Sequence, residues 1–190
     1  MSTETLPADA AAAADRVLDL LASRPPTLGT ARLLCVDGPA GTGKTTLARA
    51  VRRAAPGSCR VVHLDDLYPG WDGLSSVEHL VPPVLAAVAG GGTARYRSWD
   101  WDADAPGPER TVPAADLLVL EGVGAGGRGW ADVTTVTVWV DGPESDERRA
   151  RVVARDGEAV RAPIAVWQEA EATHLAAEGT ADRADLSWRT

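Results

Sequence analysis

The chain has 190 residues, a length that suits one domain with a sizeable hydrophobic core. Its formal net charge of −8 at pH 7 disfavours general electrostatic binding to nucleic acid or to an anionic membrane. The sequence has no long apolar run typical of a membrane span, and residues 1–4 lack the basic and apolar regions of a signal peptide, so we expect a cytoplasmic protein.

The first predicted elements are a helix and a strand. Residues 8–22 are rich in alanine and end in a cluster of valine and leucine, which predicts an opening helix packed on a sheet and ended by Pro25 and Pro26. The apolar run at 33–36 then predicts a buried parallel strand. Cys35 in that strand and Cys59 further on have no accompanying ligand cluster, so we expect both to be buried, reduced thiols.

Residues 38–45 read Gly-Pro-Ala-Gly-Thr-Gly-Lys-Thr and match the pattern G-x-x-x-x-G-K-[ST] of the phosphate-binding P-loop. A predicted helix over 46–54 follows, so the motif lies between a strand and a helix, as its function requires. In such a loop the lysine reaches the β- and γ-phosphates and the final hydroxyl ligates Mg²⁺. The residues predicted to bind the nucleotide are Gly38, Ala40, Gly41, Thr42, Gly43, Lys44, Thr45 and Thr46.

The composition also favours a functional lysine over an incidental one in a glycine turn. Lys44 is the only lysine in the chain, and every other basic side chain apart from the histidines is arginine. An ammonium is a compact point charge, whereas a guanidinium is a wide planar fork, so a narrow phosphate cradle favours lysine.

A second strand is predicted over 59–64 and ends at Asp65 and Asp66. Function gathers at the carboxyl ends of strands in parallel sheets, where a carboxylate orients Mg²⁺ or takes the proton of an acceptor hydroxyl. The alternative is a pair of solvated turn aspartates. His63 falls within the strand, and we interpret it as a packing residue.

A helix is predicted over 75–89, with Ser75 or Ser76 as its cap and Glu78 completing a capping box. Pro82 and Pro83 are expected to kink or interrupt it. Aromatic, aspartate and arginine residues then alternate over 95–102, before a loop rich in proline and glycine that runs to residue 110. Such a segment either lines a pocket for a polar acceptor or is a surface excursion anchored by its aromatic side chains.

The second half of the chain predicts strands over 116–121 and 133–140, a helix over 164–178 and a closing strand over 184–188. Glu121 ends its strand where a Walker-B carboxylate would face the metal. Pro143 suits the first position of a further helix, on which Arg148, Arg151 and Arg155 share one face. These arginines either belong to a lid that neutralises transferring phosphate or form ordinary pairs, Glu144–Arg148 and Glu147–Arg151.

Over residues 31–188, the order and spacing of these motifs resemble the uridine kinase and phosphoribulokinase group of P-loop kinases. The resemblance rests on the P-loop, the Asp-Asp-Leu-Tyr run at 65–68, the strand that ends in Glu121, the arginine helix over 146–156 and the Arg-Ala-Asp-Leu run at 183–186. It implies a three-layer α/β fold with a central, mostly parallel sheet of about five strands. It also implies one domain over residues 1–190, with an acceptor segment over 67–112 and a short lid over 146–163.

The resemblance further implies an ATP- and Mg²⁺-dependent transfer of phosphate to a small-molecule hydroxyl. Lys44, Asp65, Arg151 and Arg155 would then be catalytic, with Asp65 as the base, and Arg148 would contact the nucleotide. Thr45, Asp65 and Glu121 would hold the metal, and the acceptor would be bound by Asp65, Tyr68, Tyr96, Asp100 and Trp101.

Two departures concern the acceptor and the lid. Trp99-Asp100-Trp101 stands where uridine kinases carry Tyr-Asp-Phe followed by a histidine, and Val152 and Val153 replace more basic residues. A sugar or a nucleoside monophosphate therefore stays open as the acceptor, as does a regulatory ATPase without an acceptor. A GTPase is excluded because the Asn-Lys-x-Asp motif needs asparagine, which the chain lacks. An ABC or AAA ATPase would need a larger chain and a different signature.

Overall fold

The computed structural model describes residues 3–190 and contains a central parallel sheet with helices on both faces. Its strands are β1 (Glu4–Thr5), β2 (Arg32–Asp37), β3 (Cys59–His63), β4 (Ala94–Asp100), β5 (Ala105–Val112), β6 (Leu117–Glu121), β7 (Val136–Asp141) and β8 (Leu186–Arg189). Its helices are α1 (Ala10–Ser23), α2 (Lys44–Ala54), α3 (Val77–Ala89), α4 (Ser145–Asp156), α5 (Arg161–Glu178) and α6 (Thr180–Arg183).

The central sheet has six strands in the order β1-β8-β7-β2-β6-β3, and every neighbouring pair is parallel. The sequence predicted about five strands. The additional strand is β1, whose two residues pair with the closing strand β8. A strand of two residues is too short to produce an alternating pattern, so sequence periodicity gives no signal for it.

Strand alternation divides the interior into two cores, one on each face of the sheet. From β2, Leu33 and Cys35 face the layer that holds α3 and α5, whereas Leu34 and Val36 face α1 and α2. The three-layer α/β arrangement predicted from the sequence is therefore confirmed. Cys35 and Cys59 are buried free thiols as expected, and burial raises the pKa of Cys35 to about 12. Within residues 3–190, no helix combines the length and the apolar character needed to cross a bilayer.

Helix α3 differs from its prediction at the cap, and of the two effects expected from its prolines the interruption does not occur. Ser76 ends a 3-10 turn in helical backbone geometry and makes no capping bond through its side chain. Pro82 and Pro83 lie inside an uninterrupted helix. Both prolines are on its exposed face, where solvent reaches the carbonyls that lose their partners, while the buried Val81 and Val84 hold the other face to the core.

Two other sequence predictions need correction. The loop expected up to residue 110 is instead strand β5, which pairs antiparallel with β4 in a separate hairpin. Pairing with β4 stabilises this strand, although its proline and glycine content is typical of a loop. Pro143 is not the first residue of a helix, because α4 begins at Ser145 with Glu144 as its N-cap residue.

Candidate active site

The P-loop connects the end of β2 to the start of α2. Gly38 and Gly41 have φ values of +144° and +80°, and a Cβ atom on them would lie 2.2 Å from the Val140 carbonyl oxygen and 2.6 Å from that of Arg148. Gly43, with φ +88°, is the N-cap residue of α2. Glycine is required at these points because the backbone is left-handed or closely packed, and the turn leaves the helix N-terminus facing the loop.

Lys44 lies across this loop and is only 8% exposed. Its Nζ atom donates hydrogen bonds to the carbonyl oxygens of Gly38, at 2.8 Å, and Pro39, at 2.9 Å. The Thr42 hydroxyl donates to the same Pro39 oxygen at 2.8 Å. The ammonium is therefore held by the loop that is predicted to cradle phosphate.

Glu121 lies at the carboxyl edge of the sheet, beside the P-loop helix. Its strand β6 runs between β2 and β3, so that Glu121 pairs in register with Val36 and with His63. The Thr45 hydroxyl donates to Glu121 Oε1 at 3.0 Å, and His63 Nδ1 lies 2.5 Å from the same oxygen. Burial opposes ionisation of Glu121, but the His63 hydrogen bond and the charge of Lys44 outweigh it and lower the pKa of this carboxyl.

His63 is thus part of the polar cluster and not a packing residue. Its hydrogen bond to Glu121 is the main cause that raises the pKa of its imidazole. Its position was readable from the sequence as the last strand residue before the two aspartates. The register that brings it to Glu121 was not, because it depends on which strands are neighbours.

Asp65 follows β3 in a short 3-10 turn at the same edge of the sheet. The residue is exposed. Desolvation by the surrounding protein and the charge of Glu121 raise the pKa of Asp65, while Lys44 and Arg155 oppose the shift. The structure therefore places Asp65 within electrostatic reach of the P-loop lysine, the strand-end glutamate and one arginine of α4, and the raised pKa makes its carboxylate more basic.

Asp37 is a site residue that the sequence analysis did not identify. It is fully buried and accepts hydrogen bonds from the N–H groups of Gly38 (2.7 Å), Gly124 (2.8 Å) and Gly126 (3.1 Å). Burial raises its pKa against these three bonds. Asp37 ties the start of the P-loop to the glycine loop after β6, and its place directly before the motif was the only available signal.

The three arginines of α4 that were predicted to share one face have different partners. Arg148 is largely buried and pairs with Glu171 at 3.0 Å, in place of the predicted Glu144. Arg151 forms the predicted exposed pair with Glu147 at 2.9 Å.

Arg155 is linked to the candidate site through charge. It hydrogen-bonds Asp156, which is the main cause that raises the pKa of its guanidinium, and the charges of Asp65 and Glu121 act in the same direction. Of the three arginines, Arg155 is therefore the one whose charge acts on Asp65.

The β4–β5 hairpin brings the predicted acceptor segment to Asp65. The indole N–H of Trp101 donates to the Asp65 carbonyl oxygen at 2.8 Å, and its ring, 37% exposed, meets Trp71 edge-on at 5.1 Å. Asp100 Oδ1 accepts hydrogen bonds from the backbone N–H groups of Asp102 and Ala103 and so stabilises the hairpin turn. Tyr96 is half-buried, and desolvation raises its pKa to about 12.

Tyr68 lies in the core and does not line the cleft. It is 0% exposed, its hydroxyl donates to the Val123 carbonyl oxygen, and its ring centroid lies 5.2 Å from that of Trp167. The prediction that Tyr68 binds the acceptor is therefore wrong, because a fully buried side chain cannot contact it. The sequence placed it beside Asp65 but gave no direction for its side chain.

An open cavity of about 500 Å³ borders the P-loop at Gly41, Gly43 and Thr46, and Arg151 and Trp188 also line it. A second cavity of about 490 Å³ lies at the opposite edge of the sheet, between α1 and the end of α2, and none of the predicted site residues lines it. The first cavity is therefore the one that adjoins the predicted phosphate site.

The donor set at the sheet edge fits a magnesium ion bound together with a nucleotide. In residues 3–190 no group of three or more His, Cys, Asp or Glu side chains is arranged to hold a metal ion. Mg²⁺ in phosphoryl-transfer sites usually takes one or two carboxylates and completes its shell with water and substrate phosphates. The hydrogen-bonded oxygens of Thr45 and Glu121, with Asp65 nearby, supply such a set.

Comparison with known proteins identifies the fold. No protein-family model matches the chain, and a search of curated protein sequences gives no significant match. Among solved structures, a protein assigned as a possible uridine kinase from Bacillus stearothermophilus matches with a TM-score of 0.64 and 19% identity, covering 92% of this chain and 96% of its own. A protein provisionally assigned as a fructose transport system kinase from Silicibacter sp. TM1040 matches with a TM-score of 0.58 and 22% identity, covering 95% and 98%. The chain therefore has the α/β P-loop fold of these two structures, as its sequence predicted.

Proposed function

We propose that this protein is a kinase that transfers the γ-phosphoryl group of ATP, with Mg²⁺, to a hydroxyl group of a small molecule. One observation carries the proposal: the P-loop lysine, the Thr45–Glu121 pair and the basic carboxylate of Asp65 meet at one edge of the sheet. A nucleotide-binding site alone would need the first two features. A carboxylate next to them supplies a group that can accept a proton from an alcohol.

In this reaction some residues position the nucleotide and the metal, and one residue transfers a proton. Lys44 and the loop N–H groups bind the phosphates, and Arg155 adds positive charge near Asp65. Thr45 and Glu121 would hold Mg²⁺, which neutralises charge on the phosphates when bound. Asp65 takes the proton of the acceptor hydroxyl as its oxygen bonds to the γ-phosphorus, and the bond from that phosphorus to the β–γ bridging oxygen breaks to release ADP.

The acceptor pocket of this proposal is the space between Asp65 and the hairpin. Trp101 and Trp71 offer apolar ring surfaces beside the polar Asp65, and the half-buried Tyr96 adds a hydroxyl. Such a combination suits a polyhydroxy or nucleoside-like molecule, because sugars and bases present both flat faces and hydroxyl groups. Uridine is the leading single candidate, and a sugar is the next.

The experiment that tests the function is a coupled ADP-release screen with Mg·ATP. Nucleosides, sugars, pantothenate-like alcohols and nucleoside monophosphates are added one at a time. We expect ADP release to depend on at least one acceptor and on Lys44. ATP binding without stimulation by any acceptor would favour a regulatory ATPase and contradict the kinase proposal.

Trp101→Ala should raise the KM for the acceptor by about tenfold or more, because the variant loses the indole surface beside Asp65 on which the acceptor would pack. The KM for ATP should stay within about threefold, since the hydrogen bond and the ring contact of Trp101 are with Asp65 and Trp71. Steady-state kinetics with each substrate varied in turn measures both values. Arg95→Ala is the control, because Arg95 is an exposed hairpin residue that pairs with Glu109. Unchanged acceptor kinetics in Trp101→Ala would rule out this pocket.

A further inference from the structure

Three elements meet at the backbone of Ala40 in the P-loop. Its N–H donates to Glu171 Oε2 on α5 at 2.6 Å, and its carbonyl oxygen accepts from Arg148 Nη1 on α4 at 2.9 Å. The same Nη1 atom lies 3.0 Å from Glu171 Oε1. One carboxylate and one guanidinium therefore clamp both polar groups of a single P-loop residue, and we call this arrangement the Ala40 bracket.

The bracket is sheltered from solvent. Glu171 is 1% exposed as a residue, and the Arg148 side chain is 13% exposed. Each charge depends on the other, because a buried carboxylate is costly without a partner. The bracket also explains the tight contact at the next residue, since the Arg148 carbonyl oxygen occupies the space where a Cβ on Gly41 would lie.

A second contact between the same two helices fixes their relative position. Gln168 is one turn before Glu171 on α5, and its Nε2 atom donates to the Ser145 carbonyl oxygen at the start of α4 at 3.0 Å. The Arg149 guanidinium donates to Gln168 Oε1 at 3.1 Å. Arg148 is thus held at the P-loop by packing on α5, in a place where the sequence predicted a contact with the nucleotide.

We propose that Arg148 and Glu171 are positioning residues: Glu171 holds the Ala40 amide, and Arg148 acts through Glu171 by neutralising its charge beside the phosphate cradle. Arg148 does not contact phosphate in this proposal. The inference rests on the proposed nucleotide site for its effect on ATP, but the bracket itself does not depend on ATP. The proposal predicts that the effect of replacing Arg148 on ATP affinity depends on whether Glu171 carries a charge. An arginine that binds phosphate directly would not show this dependence.

The first arm of the experiment uses hydrogen–deuterium exchange on the full chain without nucleotide. Glu171→Ala should speed exchange in the peptide that contains Ala40 by about tenfold or more, because the part-buried hydrogen bond that holds the Ala40 N–H is removed. Glu169→Ala, an exposed change on the same helix, should leave that peptide unchanged. Equal exchange of the Ala40 peptide in Glu171→Ala and the parent chain would overturn the bracket, whether or not the protein binds ATP.

The second arm measures Mg·ATP affinity by titration calorimetry. Arg148→Met should weaken binding by about tenfold or more, because it leaves the Glu171 carboxylate unpaired beside the phosphate site. Adding Glu171→Gln to Arg148→Met should restore affinity to within about threefold of the parent, since a neutral amide still accepts the Ala40 N–H. Arg148→Lys should also stay close to the parent, because it keeps the positive charge.

Controls and opposite outcomes separate the two proposals. Arg16→Met removes an exposed arginine of α1 and should not change the affinity. If the double variant binds ATP as weakly as Arg148→Met, Arg148 contacts phosphate directly and the positioning role is wrong. If the parent chain binds no ATP, the proposed kinase function fails, while the exchange experiment still decides the bracket.

Discussion

Lys44→Ala is expected to reduce phosphoryl transfer by about 10³-fold or more, which is the scale of losing a preorganised charge at the reacting group. The ammonium is nearly buried and lies 2.8 and 2.9 Å from two carbonyl oxygens of the loop, so its charge is fixed at the predicted phosphate site. In a single-turnover assay with the acceptor identified by the ADP-release screen, both the rate and the affinity for Mg·ATP should fall. Thermal unfolding of the variant should stay close to that of the parent if the loss is chemical.

Lys44→Arg tests the shape of the cradle and not only its charge. A guanidinium is wider than an ammonium and spreads its donors in a plane, so it does not fit between the Gly38 and Pro39 carbonyls. We therefore expect a loss close to that of Lys44→Ala. Near-parent turnover in Lys44→Arg would show that the position needs only a positive charge and that the loop is not a narrow cradle selective for lysine.

The sequence predicted the parts of the site that are encoded locally. The P-loop is a continuous motif between a strand and a helix, and Glu121 and Asp65 are marked by the ends of apolar runs. Because parallel strands present their carboxyl ends at one edge, these residues had to lie near one another once the sheet formed. The Thr45–Glu121 hydrogen bond shows this convergence directly.

The parts that sequence reasoning missed depend on distant contacts. Glu171 reaches Ala40 across 131 residues of sequence, and nothing in its helix marks it as different from the exposed Glu169. Arg148 was read from helix periodicity, which gives a shared face but not the partner. His63 and Tyr68 were misplaced for a related reason, since strand register and side-chain direction come from tertiary packing.

Asp65→Asn is the second change with a large expected effect, and it should slow kcat by about 10²–10⁴-fold, the range of a lost acid–base group. The amide has nearly the same size as the carboxylate but cannot accept the acceptor proton. The environment raises the pKa of Asp65 through desolvation and the nearby Glu121 charge, so the parent carboxylate is a stronger base than an ordinary aspartate. Mg·ATP affinity should change little, because the P-loop contacts stay intact.

Asp66→Asn is the matched control for this prediction, since it makes the same chemical change one residue away. The charge of Asp66 helps to raise the pKa of Tyr96 in the hairpin. The charges that shift the pKa of Asp65 are those of Glu121, Lys44, Arg155 and His63. Its substitution should change kcat by less than about threefold, whereas a base lost at Asp65 should cost at least about a hundredfold. If Asp65→Asn instead weakens Mg·ATP binding strongly while kcat at saturating Mg·ATP stays near that of the parent, Asp65 is a metal-site residue. If Asp66→Asn has the larger effect on kcat, the base is the second aspartate of the turn, and the acceptor lies closer to Tyr96 than to Trp101.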